Sequence, residues 1–368
     1  MPCLQFDNIG FAALACAVPA HVQKADEDPN RPDAAYIRNF IRQIGVRQRH
    51  ISVTEQTCLD TGYAAACRAL EKAGWLAADL DGVLFMSQTP DFNAATGNAH
   101  LLQYRLGMRT DTLAFDITLG CSSFPYGLSV CASLLQQENI HKLLMVSGDT
   151  MWGLYASRDE LCSQGHFLEG EGTTALLLER AATASPIRID LHTDGSGYRF
   201  LYNPRAGWRN QWRRFAHART CHGVEIDAGR YMDGLEITSF ATTTVVDSIR
   251  QFLTDNHTTL DTYDGLVLHQ ANRQILRAMA KRLGIAAERV PLSLDRYGNT
   301  NAASVPLTML DAYANDPRDE LHLLCCAFGI GLSWGIVDLN IRPGVMEPIF
   351  PLEGGVFEEG LLQPAESK

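Results

Sequence analysis

The stretch "AFDITLGCSSFPYGLSVCASLL" (residues 114–135) sets an apolar strand pattern directly against a helical one, with a single cysteine, Cys121, at the junction. Beyond it, Leu128, Cys131, Leu134 and Leu135 recur at helical spacing, and Pro125 falls where a first helical turn tolerates it. Gly127, Ser129, Ala132 and Ser133 are small, so this helix accepts close neighbours and is expected to be central. A cysteine needed only for packing has no reason to sit where backbone N–H groups point at its sulfur. The dipole of such a helix stabilises a thiolate by at most about 2 kcal/mol. That is enough for a usable nucleophile, and a neighbouring imidazole would add to it.

Working outward, "GVLFMSQ" (82–88), "LLMVSGD" (143–149), "GLVLHQA" (265–271) and "LHLLCCAFGIGLSWGIVDL" (321–339) are near-continuous apolar runs of the kind that form buried strands. Helical patterns lie between them, at 58–74 and 233–253. Strands alternating with helices predict an α/β architecture whose sheets are covered on both faces. Each half of the chain shows the alternation, with a seam near "RAATASP" (180–186). The expected divisions are 1–183, 184–342 and an acidic, Pro- and Gly-containing tail, 343–368, that wraps the surface or stays mobile. "IGFAALACAVPA" (9–20) has the apolarity of a secretion signal, but no Lys or Arg precedes it and Asp7 adjoins it. It is expected to be a buried strand ending at Pro19.

The 368-residue chain has a net charge of -11, which argues against nucleic acid as a general partner. No apolar run reaches the roughly 18 residues of a membrane helix. Its ten cysteines include no C-x-x-C pair. Nine of them are expected to pack as small hydrophobes in a reducing, cytoplasmic setting, with no disulfide and no metal site. "HARTCH" (217–222) has no partner ligands at useful spacing. "RAGWRNQWRRFAHAR" (205–219) breaks the acidic trend with five arginines and two tryptophans. It is either a solvated loop or a docking patch in which Arg209 and Arg213 hold phosphate and Trp208 and Trp212 stack on an adenine.

Two further stretches carry chemistry. In "GLVLHQANRQILRAMAKRLGI" (265–285), His269 ends a strand and precedes a helix, at the kind of sheet edge where α/β sites collect. Taken alone, a strand-end histidine is more often structural. "LDRYGNTNAASVPLTM" (294–309) is a turn rich in Gly and Asn that enters a helix through small residues, where Asn299 or Thr300 could simply cap. Together the three stretches supply a nucleophile, a hydrogen-bond donor or base, and an amide.

The chain resembles the β-ketoacyl-acyl-carrier-protein synthase III family of the thiolase superfamily. Four linked motifs carry the likeness: the cysteine after "AFD", "HQAN", "GNTNAAS" and "FGIGLSWG", supported by "GVRQRH", "LDGVLFMSQT", "DGSG" and "GEGTTALLLE". They run in family order over residues 8 to 342. The resemblance implies a thiolase-like fold, two similar halves in a five-layer αβαβα arrangement, and an obligate homodimer. It puts the nucleophile on Cys121, the histidine on His269 and the asparagine on Asn299, with an oxyanion hole from the backbone N–H groups of Cys121 and Ile330. It also implies decarboxylative Claisen condensation: an acyl-Cys121 intermediate meets a malonyl-type thioester, with no cofactor.

Departures from the family bear on substrate. The residues expected to clasp coenzyme A are replaced by Asn39 and Gln43, and Arg273 and Arg277 are the nearby arginines left to dock a carrier. An acyl carrier protein, acyl-coenzyme A, or both remain the expected partners. The acyl-pocket gate falls on Ala95 or Thr96, whose small size predicts a longer or bulkier acyl group. Cys325 and Cys326 are read as strand packing, not as the second cysteine of a degradative thiolase. A specialised-metabolite acyltransferase of the same fold and a non-catalytic partner subunit are the alternatives.

Overall fold

In a computed structural model, residues 3–27, 34–92, 96–151, 167–203, 218–219, 225–226 and 231–357 are described. The main-sheet strands, in chain order, are β1 Leu4–Phe6, β2 Ile9–Pro19, β3 Gly82–Met86, β4 Leu113–Ile117, β5 Lys142–Asp149, β6 Gly172–Arg180, β7 Ile187–Thr193, β8 Gly265–Leu268, β9 Leu321–Gly329, β10 Ser333–Ile341 and β11 Phe350–Leu352. The helices that frame them are α1 Ala34–Gln43, α2 Cys58–Ala73, α3 Asn98–Leu106, α4 Ser123–Leu134, α5 Val246–Asp255, α6 Arg273–Leu283 and α7 Ser304–Tyr313.

One sheet has the order β11-β2-β6-β5-β3-β4 and the other β1-β7-β10-β9-β8. Their centres repeat one topology. In the first, β2 and β6 are antiparallel, β6 and β5 antiparallel, and β5 and β3 parallel. In the second, β7-β10, β10-β9 and β9-β8 follow the same pattern. The two buried helices match as well, since Ser123-Phe-Pro125 opens α4 and Ser304-Val-Pro306 opens α7.

Strand periodicity divides the side chains into layers. Leu323 and Cys325 of β9 pack inward with Leu128 and Cys131 of α4 and Val305 and Met309 of α7, between the two sheets. Their neighbours Leu324 and Cys326 point the other way, onto Ile249 and Phe252 of α5 and Ile275 and Met279 of α6. On the far side, Leu59 and Ala66 of α2 and Leu102 of α3 cover Ala15, Val83 and Val146. Helices, sheet, helices, sheet, helices is the five-layer thiolase-like arrangement.

The 9–20 stretch is strand β2, as expected, and the 321–339 run is a hairpin turning at Ile330–Leu332. The boundaries at 183 and 343 do not separate structural units, because the sheets exchange their end strands. β1 pairs with β7 in the C-terminal sheet, and β11 pairs with β2 in the N-terminal one. The described part of the tail is ordered against the N-terminal half: Lys72 binds Glu347 at 3.0 Å, and the Arg105 guanidinium lies 3.8 Å over the Phe357 ring. Two of the cysteines assigned to packing also sit elsewhere, Cys3 being exposed and Cys67 half-buried.

Candidate active site

Cys121 lies between β4 and α4 and is 6% exposed. Its surroundings come from the other half of the chain. A Cβ at Gly329, the last residue of β9, would sit 2.5 Å from Cys121 Cβ and 2.9 Å from Sγ, so only glycine lets this strand end approach. The thiol donates to Asn301 Oδ1 at 3.5 Å. Thioester acylation of Gly329→Ala, followed by intact mass, is expected to slow about a hundredfold, the usual consequence of a 1 Å misplacement.

His269 follows β8 and is 2% exposed. Its backbone N–H donates to Cys326 O at 2.9 Å, and its ring stands edge-on to Phe328, centroids 5.5 Å apart. Nδ1 lies 2.6 Å from Ser304 Oγ. With that hydroxyl donating, the imidazole would carry its proton on Nε2.

Asn299 is held by its backbone, N–H to Leu168 O at 2.8 Å and C=O from Gly170 N at 3.0 Å. Gly298, at φ 69 and ψ -169, provides the turn that aims it. Its Oδ1 accepts from Asn301 N at 3.0 Å, which leaves Nδ2 as the donating end. Neither Asn299 nor Thr300 gives the side-chain helix cap considered from sequence; the Asn299 bond closes a local turn onto Asn301 N.

Two elements bring these groups together. Cys121 touches Gly329 and Asn301, whereas His269 touches Phe328 and Ser304. Cys121 and His269 thus both contact the end of β9 and the turn that carries Asn299. Ile330 lines a cavity with Cys121, and its carbonyl is fixed by Ser333 Oγ at 2.7 Å.

Asp149, the last residue of β5, went unnoticed in the sequence. It is 2% exposed and accepts from Ser87 Oγ at 3.0 Å, Gln88 N at 2.8 Å and Ala302 N at 3.2 Å. It joins the loop after β3 to the asparagine turn, and burial pushes its carboxyl up from the ordinary value. Glu171 accepts from Ser52 N at 2.6 Å and Met151 N at 2.7 Å, a structural role in keeping with its place in the "GEG" turn. Cys325 and Cys326 are in the two core layers, and burial pushes both thiols far up, consistent with packing.

Of the docking arginines, Arg277 is exposed on α6. Arg273 is a correction: its guanidinium donates to Ile41 O at 3.1 Å and Gly45 O at 3.3 Å, fastening the α1 loop to α6 instead of facing a partner. Burial, then the neighbouring Arg277 charge, lowers its pKa. Trp208, Arg209, Trp212 and Arg213 lie outside the described residues, as do Ala95 and, within "HARTCH", His217 and residues 220–222. Thr96 is exposed and is not among the described residues lining the Cys121 cavity. Among the described residues, no cluster of His, Cys, Asp or Glu is placed to hold a metal, and no helix is long and apolar enough to cross a membrane.

A duplicated sheet unit in five layers, with a buried thiol on a helix N-terminus at its junction, defines a thiolase-fold acyltransferase. The family profile for 3-oxoacyl-(acyl-carrier-protein) synthase III matches residues 115–195, and that for its C-terminal region matches 253–341. The β-ketoacyl-(acyl-carrier-protein) synthase III of Synechocystis sp. is 33% identical over 297 residues, 79% of this chain and 85% of its own. That of Alkalilimnicola ehrlichii is 34% identical over 295 residues, 79% and 86% of the two chains. The crystal structure of a 3-oxoacyl-(acyl-carrier protein) synthase from Burkholderia xenovorans superposes with a TM-score of 0.84 at 28% identity, covering 95% of this chain and 99% of that one. The chain belongs to the β-ketoacyl-acyl-carrier-protein synthase III family. It is a condensing acyltransferase that makes a β-keto thioester by decarboxylative Claisen condensation.

Proposed function

We propose that Cys121 carries the acyl group and that His269 and Asn299 stabilise the enolate of the incoming malonyl-type thioester. What supports this is that Cys121 and His269 both contact the end of β9 and the 299–304 turn, on which Asn299 sits beside Asn301. Cys121 Sγ attacks the donor thioester carbon, and the donor thiol leaves with its proton. Loss of CO₂ from the malonyl group then sends its bonding electrons onto the thioester carbonyl. His269 Nε2–H and Asn299 Nδ2–H are donors to that oxygen, and preorganised donors act where charge develops. The carbanion attacks the acyl-cysteine, whose oxyanion is received by the N–H groups of Cys121 and Ile330, and the Cys121 thiolate departs.

Single-turnover discharge tests this. Enzyme loaded with one acyl group, seen by intact mass, should lose it on addition of a malonyl thioester and release one CO₂ per acyl group. Discharge without CO₂ would overturn the scheme. Ser304→Ala should slow that discharge about tenfold, the worth of one lost neutral hydrogen bond, while leaving the loading step faster than discharge.

The partner is an acyl carrier protein, with coenzyme A thioesters as the second possible donor, in a reducing, cytoplasmic setting. Arg38 and Arg42 are exposed on α1, and Arg277 is exposed on α6, which Arg273 ties to the α1 loop. This is a basic surface on a chain of net charge -11, suited to an acidic carrier. Arg277→Glu is expected to raise KM for a carrier-bound donor about tenfold, with the difference shrinking as added salt screens it.

The chain acts as a homodimer. β4 is an edge strand of the six-stranded sheet, yet its sequence Leu113-Ala-Phe-Asp-Ile117 is that of an interior strand. Leu113 is 40% exposed on it. An apolar edge of this kind is a template for a second strand, and a second copy would close it. Light scattering is expected to give twice the chain mass, falling to the monomer in Leu113→Lys/Phe115→Lys.

A further inference from the structure

We propose that Asp149 is a positioning residue for the condensation step: its carboxylate fixes the turn that follows Asn299 and so aims the Asn299 amide at the enolate. The inference rests on Asn299 serving that enolate. Asp149 is 2% exposed at the end of β5, and its two oxygens face different segments. Oδ1 accepts from Gln88 N at 2.8 Å, Ser87 Oγ at 3.0 Å and Thr89 Oγ1 at 3.3 Å, all in the loop after β3. Oδ2 accepts from Ala302 N at 3.2 Å and from Gln88 Nε2 at 3.4 Å. Among the described residues, no Lys or Arg pairs with it. A carboxylate buried without a cation is costly, so a site that needed only a spacer would be better filled by a neutral side chain. What Asp offers here is acceptors on both oxygens and no donor. Burial pushes its carboxyl up, and the foremost groups holding it down are one backbone N–H from each segment, Gln88 and Ala302.

Ala302 N adjoins the group that orients Asn299. Asn299 Oδ1 accepts from Asn301 N at 3.0 Å, so the backbone at 301–302 sets which way Nδ2 points. Asn301 is at φ 47, a left-handed conformation that persists in a non-glycine residue only where its surroundings fix it. Two successive N–H groups are held there, Asn301 by Asn299 Oδ1 and Ala302 by Asp149 Oδ2. Without the second bond the first can relax, and the Asn299 amide turns with it. The Asn299 backbone is held separately, by Leu168 O and Gly170 N. The loss is therefore one of aim, with the residue itself kept in place. Acyl loading uses Cys121 at the N-terminus of α4 and does not call on the Asn299 amide.

The test is Asp149→Asn in the full-length protein, read by single-turnover loading and discharge. The three donors of the β3 loop keep an oxygen on their side, which sets the new N–H₂ against Ala302 N–H, donor facing donor. Loading of Cys121 from a thioester, followed by intact mass, is expected to stay within about threefold of the parent. Discharge by a malonyl thioester is expected to slow about tenfold or more, up to the loss for one oxyanion donor. In an Asn299→Ala background the same substitution should slow discharge less than about twofold, because the amide it aims is gone. Undiminished slowing in that background, equal slowing of loading and discharge, or parental discharge in a variant that melts as the parent does would each overturn the inference. Should Asp149→Asn not fold, Ser87→Ala/Thr89→Val keeps the carboxylate but removes two of its anchors, and is expected to slow discharge alone about threefold. No slowing there would overturn it equally. Asn299→Ala discharging at the parental rate would instead remove the reading of Asn299 beneath it.

Discussion

Cys121→Ser is expected to take up no acyl mass from thioesters that load the parent enzyme, and to lose condensation by about 10⁴-fold or more, the scale seen when a catalytic nucleophile is removed. Serine keeps the shape and the hydrogen bond to Asn301 but not the nucleophilicity, since a hydroxyl at a helix N-terminus stays protonated where a thiol ionises. The other cysteines make the result readable. Cys131 is wholly buried and its thiol is pushed up to about 12, and Cys16, Cys58, Cys325 and Cys326 are raised by the same burial. Cys3 is exposed and Cys67 half-buried, so Cys3→Ser and Cys67→Ser belong in the control to remove incidental labelling. If Cys121→Ser retained more than a tenth of the acylation rate on a Cys3→Ser/Cys67→Ser background, the nucleophile would lie elsewhere.

The second large effect separates the two half-reactions. His269→Ala and Asn299→Ala should still load an acyl group on Cys121 but release CO₂ from a malonyl thioester about 10²- to 10³-fold more slowly each, the usual loss for one oxyanion donor. Their effects should not multiply in the double variant, because both donors serve one oxygen. The acyl-enzyme would then accumulate, visible as a persistent mass increase after all substrates are added. Equal loss of loading and discharge in His269→Ala would mean that the imidazole serves mainly as the base for the thiol. A Ser304 hydroxyl donating to Nδ1 would put the proton on Nε2 and so favour the donor role.

Much of this site was legible locally. A cysteine at a strand-to-helix junction, a histidine ending an apolar strand and a Gly-Asn turn are each patterns a few residues long. Backbone periodicity and turn chemistry write such patterns into contiguous sequence. The buried N-terminal strand, the layer alternation in β9 and the family likeness belong to the same category. So does one overlooked signal, the Ser-x-Pro opening shared by α4 and α7, which marks the duplicated helices directly.

What only the tertiary structure decided involves partners far apart along the chain. The Cys121 thiol meets an amide 180 residues away, Asp149 reaches a backbone N–H 153 residues on, and Arg273 is used up on carbonyls of the α1 loop. No local pattern encodes which distant oxygen a side chain will find. The exchanged end strands, β1 into the C-terminal sheet and β11 into the N-terminal one, are hidden for the same reason. A three-residue strand carries too little periodicity to name its sheet, and its place is set by which open edge the folded halves leave beside it.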